Sequence, residues 1–122
     1  MQYLLLIFDD ERVWGEMSED ERNRLYAEYG TFTNELREAG ALVTADQLQP
    51  STTATIVRVR DGETLITDGP FAETKEQLGG YYLIEAESLD EALEWAGKIP
   101  TARSGSIEVR PVAPVPAEVS AG

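Results

Sequence analysis

Apolar and polar positions alternate along the chain in a readable order. Tyr3 to Phe8 is an unbroken apolar run closed by Asp9-Asp10. Its length suits a strand buried on both faces. Ser18-Glu19-Asp20-Glu21 has the form of a capping box, Ser at the N-cap and Glu three residues on. Leu25, Tyr29, Phe32 and Leu36 then recur at helical spacing, and Gly40 follows as a stop signal, so a helix is expected over 18–39. Ala41 to Gln47 reads as a second strand. From Ala54 to Arg60 the residues alternate, Thr55, Val57 and Val59 on one side and Ile56, Arg58 and Arg60 on the other. Asp61-Gly62 is a hairpin turn, and Thr64 to Thr67 is the returning strand. Tyr81 to Ala86 is a further strand. Ser88 to Glu91 repeats the capping pattern and opens a helix to residue 98, with Leu89, Ala92, Leu93, Ala96 and Ile99 as its apolar face and Pro100 as its end. Ser106 to Arg110 is the final strand. The Pro- and Val-containing remainder, 113–122, has no periodicity and is expected to be a flexible tail.

The order is strand, helix, strand, hairpin, strand, helix, strand. It predicts an α+β domain over 1–112 on a ferredoxin-like plan, an antiparallel sheet with both helices on one face. The first strand is apolar on both sides, so the other sheet face needs a cover. A face-to-face homodimer supplies one, with the hairpin extending the sheet or the interface.

Charge and composition narrow the function. The 122 residues carry 23 acids against 10 bases, a net charge of −13. The acids are spread along the chain, as on a solvated surface. Such a chain is unsuited to direct contact with nucleic acid or an anionic membrane, which needs clustered Lys and Arg. It has neither Cys nor His. Disulfides, thiolate chemistry, the Ser-His-Asp arrangement and His or Cys metal sites are therefore absent. The N-terminal apolar run is short and lacks a basic flank, so neither a signal peptide nor a membrane span is expected, and a cytoplasmic location is.

The residues with chemical potential cluster between Asp68 and Tyr82. Asp68 opens the turn Asp68-Gly69-Pro70-Phe71. It is either a carboxylate at a pocket mouth or a turn residue accepting a backbone N–H. Lys75 is an electrophile, an anion binder or a surface charge paired with Glu73 or Glu76. Tyr81 and Tyr82 lie on opposite faces of their strand, so one of them can look into a pocket. Tyr29 is read mainly as a core aromatic. Arg103, in the loop after the second helix, could hold a carboxylate or form an ion pair. Asp9 and Asp10 end the first strand, where a pocket residue or an exposed terminator is equally at home. With Asp68 they could in principle bind a metal, but their spacing does not support one, and neither metal nor cofactor is expected. Gly79-Gly80 lacks a phosphate-loop pattern and is read as the device that turns the chain back into the sheet.

The stretch Thr67 to Glu85, TDGPFAETKEQLGGYYLIE, resembles the signature of the DGPF branch of the YCII-related proteins, and the similarity extends over roughly Met1 to Val112. The resemblance implies a dimeric α+β barrel. Better-studied YCII-like proteins resemble small hydrolases or lyases with a His-Asp pair. Here Tyr29 falls where that His would be and Ile99-Pro100 where the Asp-Pro would be, so that chemistry does not carry over. DGPF proteins are linked by gene context to extracytoplasmic-function sigma factors, which implies a role in transcription initiation and, for so acidic a chain, a basic protein partner. Two functions follow. One is a homodimeric binding module for a small molecule or a protein, with Asp68, Gly69, Pro70, Phe71, Lys75, Tyr81 and Arg103 as its ligand contacts. The other is an enzyme of the dimeric barrel type, using Asp68 with a Tyr or Lys as acid-base groups.

Overall fold

The apolar run at the N-terminus forms the central part of the main sheet. A computed structural model of the chain describes residues 1–70 and 73–116. Strand β1 (Gln2–Asp9) lies between β5 (Gln77–Glu85) and β6 (Ser106–Pro111), and β2 (Leu42–Gln47) pairs on the far side of β5. All three pairings are antiparallel. The resulting order, β2-β5-β1-β6, is compatible with the ferredoxin-like plan.

Strand alternation sorts the side chains. Tyr3, Leu5 and Ile7 of β1, with Tyr82 and Ile84 of β5, are buried beneath the helices. Helix α2 (Glu19–Glu38) contributes Phe32 and Leu36, and α3 (Leu89–Lys98) contributes Ala92 and Ala96. Leu5, Leu36, Ile84 and Ile99 are almost completely enclosed, and each such side chain stabilises the fold by roughly 1.5–3 kcal/mol. The opposite face carries Leu4, Leu6, Phe8 and Leu83, all half-buried.

The helix ends form as their sequences direct. Ser18 accepts the Glu21 N–H at 3.1 Å and Glu21 reaches back to the Ser18 N–H, a complete capping box. At α3 only half of the expected box forms. Ser88 accepts the Glu91 N–H, but the Glu91 carboxylate takes the N–H of Glu87 instead. Leu89 and Leu93 are exposed, and the face α3 buries is Ala92, Trp95, Ala96 and Ile99. Pro100 ends α3 and opens a 3-10 turn, Pro100–Arg103.

Three features differ from the sequence expectation. Residues Glu11–Glu16, for which no element is predicted, form a short helix, α1, capped by Asp10. Strand β5 begins at Gln77 and not at Tyr81, so Gly79-Gly80 lies inside the strand and does not turn the chain. The glycine at 80 is a packing requirement, since a Cβ there would stand 2.8 Å from the Asp46 carbonyl oxygen on β2. Third, β3 (Thr55–Arg60) and β4 (Glu63–Asp68) form a separate two-stranded ribbon and do not extend the main sheet. Its turn has Asp61 at φ 51° and Gly62 at φ 78°, as a type I′ turn demands. One ribbon face is apolar and open, with Val57 61% and Ile66 68% exposed.

Candidate functional site

A pocket of about 530 Å³ lies against the helix-covered part of the sheet, between α1, α2 and strands β1, β2 and β5. Its existence follows from α1, which lies over the end of β1. Asp10 starts that helix by accepting the Arg12 N–H at 3.0 Å. Arg22 of α2 donates to the carbonyls of Trp14 and Met17, holding the helix end. Glu11 ties the other end to the loop before β3, accepting the Ser51 N–H at 2.6 Å and its hydroxyl at 2.7 Å. The Glu11 N–H in turn donates to Gln77 Oε1 of β5.

Aromatic and apolar side chains make the wall. Trp14 of α1 meets Tyr26 of α2 edge to face, with ring centroids 5.3 Å apart. Leu25, Tyr29, Ile7 and Tyr82 continue the lining. The tyrosine hydroxyls are internally paired: Tyr29 with Thr101, and Tyr82 with Thr33 at 2.7 Å. Burial pushes the Tyr29 phenol above its ordinary pKa. The Thr101 hydrogen bond opposes that shift, and the nearby Asp9 charge adds to it. Burial likewise raises Tyr82. Both are therefore neutral hydroxyls at physiological pH. Among the described residues, no buried side-chain N or O lacks a hydrogen-bond partner.

The charged part of the lining is acidic. Asp9, Asp10 and Glu11 line the pocket, Asp46 borders it on the strand face that it shares with Tyr81, and no Lys or Arg among the described residues lines it. Asp9 accepts the Asp10 N–H at 2.8 Å and faces the Ser104 hydroxyl at 3.3 Å. Arg12 pairs with Asp10 through Nε and Nη2 and holds that carboxyl at a pKa of about 2. Among the described residues no three carboxylates gather to hold a metal, so Asp68 does not join Asp9 and Asp10.

Of the residues singled out in the sequence, Tyr81 lines the pocket, as do Tyr29, Tyr82, Asp9 and Asp10. By alternation Tyr81 belongs to the sheet face away from the helices, where its hydroxyl lies 3.4 Å from Asp46. Asp68 is exposed at the end of β4, and its side chain makes no hydrogen bond or ion pair with a described residue. Gly69 has φ 122° and donates its N–H to Ala54, closing the ribbon. Pro70 is exposed and Phe71 lies outside the described residues. Lys75 is exposed beside a shallow groove with Phe8, Ser106 and Ile107, and forms no ion pair with Glu73 or Glu76. Arg103 is turned to Glu28 of the same chain. The sequence reading missed Trp14, Tyr26, Glu11 and Gln77, whose places depend on α1 and on the early start of β5. The Asp10-Glu11 pair, an N-cap followed by an acid, was the available signal.

The family comparison agrees with this architecture. Residues 1–116 match the model of the YCII-related domain. An uncharacterized protein of Rhizobium meliloti (strain 1021) is 44% identical over 115 residues, covering 93% of each chain. The positions that the resemblance aligned with a His-Asp pair meet here as Tyr29 and the turn after α3, joined through Thr101.

Proposed function

We propose a small-molecule-binding function for this chain, which belongs to the YCII-related domain family. The observation that carries it is the walled pocket under α1, within the size range of small-ligand sites. Its aromatic lining supplies contact area, and its tyrosine hydroxyls, already paired to Thr33 and Thr101, supply a fixed shape. We assign the chain to the DGPF branch on its DGPFAETKE stretch. We also assign it to a homodimeric α+β barrel, because Leu4, Leu6, Phe8 and Leu83 form an apolar row on the free sheet face. A cytoplasmic location suits this reading, and no helix among the described residues is long and apolar enough to cross a membrane. The sigma-factor association implied by the resemblance belongs, in this reading, to the acidic outer surface, which would meet a basic protein partner. An enzyme built on Asp68 gains no support from the geometry, since neither a Tyr nor a Lys bonds to it.

The test is a chemically diverse fragment screen read by NMR. Ligands should shift the Trp14 indole N–H, identified by its loss in Trp14→Phe, and leave the Trp95 indole unmoved. A screen whose hits all act at the Lys75 groove, or that yields none, would overturn the pocket reading.

A further inference from the structure

The binding reading leaves open what kind of molecule the pocket takes. We infer that the pocket selects organic cations, amines carried on an aromatic or alkyl body. This rests on the proposed binding function and adds the sign of the ligand's charge.

The first ground is the charge of the lining. Asp9, Asp10 and Glu11 line a partly enclosed space that no Lys or Arg among the described residues lines. Arg12 neutralises Asp10, but Asp9 and Glu11 have no ion-pair partner among the described residues. Glu11 is hydrogen-bonded to Ser51, which fixes it in place without cancelling its charge. A low-dielectric wall around uncancelled charge focuses the field into the cavity.

The second ground is independent of the acids. Trp14, Tyr26, Tyr29 and Tyr82 line the same space. Aromatic faces attract cations through their quadrupole, Trp most strongly. The tyrosines at 29 and 82 have committed their hydroxyls to threonines. What they offer a ligand is therefore ring surface and not a proton donor. An anionic ligand would find no counter-charge in the lining and would also meet the net charge of −13. A neutral apolar ligand would gain from the rings alone.

The experiment uses the full chain and two matched series. Phenethylamine, 2-phenylethanol and 3-phenylpropionate share one ring. Tryptamine, tryptophol and indole-3-propionate share a larger one. Affinities are measured by calorimetry and located by the Trp14 indole shift. The expected result is that each amine binds about tenfold or more tightly than its alcohol, with the acid weakest. In the Asp9→Asn/Glu11→Gln variant the amine's advantage should shrink severalfold while the alcohol's affinity stays put, which shows that the pocket survives. Alcohols or acids binding as well as amines would overturn the cation preference and leave the binding function standing. An advantage undiminished in the double variant would overturn the assignment to these carboxylates. No response of Trp14 to either series, together with an empty fragment screen, would remove both conclusions.

Discussion

The Asp10 carboxylate accepts the Arg12 backbone N–H and, through both oxygens, the Arg12 guanidinium. Those bonds lower its pKa from 3.8 to about 2. A carboxyl depressed in the folded state stabilises it above the unfolded pKa, and that contribution is lost as pH falls through the folded value. Helix α1 should therefore loosen between pH 3.8 and about 2, seen as a shift of the Trp14 indole signal. Asp10→Asn keeps an oxygen for the cap but does not titrate, so its transition in that window should be absent. Asp68 is the opposite case. Exposed and without a partner among the described residues, it should tolerate Asp68→Ala with a change within about 0.5 kcal/mol in urea unfolding. A loss of about 1 kcal/mol or more would mean that it holds the turn after all.

Among the elements, α1 has little of its own to hold it. It is six residues long and buries none of them fully. Its place depends on two bonds from Arg22 and on the Glu11 strap. Arg22→Ala should cost about 1–2 kcal/mol by urea unfolding, the size expected for a charged hydrogen-bonding group. It should also raise the amide exchange rates across α1 before those of the sheet. The same weakness explains what could be read from the sequence. Helix α2 announced itself by Ser18, Glu21 and the stripe from Leu25 to Leu36, and β1 by its unbroken apolar run. A helix of six residues has too few turns for a periodic signal. Strand β5 was shortened in the reading because Gly79-Gly80 looks like a breaker, while its real cause is the close approach of Asp46 on β2. The candidate pocket was therefore half legible. Its tyrosines and Asp9-Asp10 were visible as residue types, whereas the place of α1 over the pocket depends on contacts distant in sequence, such as Glu11 with Ser51 and with Gln77.

At the scale of the molecule, two apolar surfaces lack a cover among the described residues: the sheet row from Leu4 to Phe8 with Leu83, and the ribbon face of Val57, Val59 and Ile66. Light scattering at micromolar concentration should give twice the chain mass of 13.5 kDa. A monomer would count against the barrel assembly. Deleting residues 114–122 should leave the melting temperature nearly unchanged, because among the described residues the last backbone tie to the sheet is the Val112 N–H bonded to Gln2. A large drop would mean that the tail docks. The separate ribbon β3–β4 adds a thermodynamic corollary. Two strands alone are marginal in water, and this pair adds no strand to the main sheet. If a second copy completes it, the ribbon's order obeys mass action. Dilution below the dimer dissociation constant should melt β3–β4 while β1 and β5 stay protected, so that protein concentration sets how much of a single chain is folded.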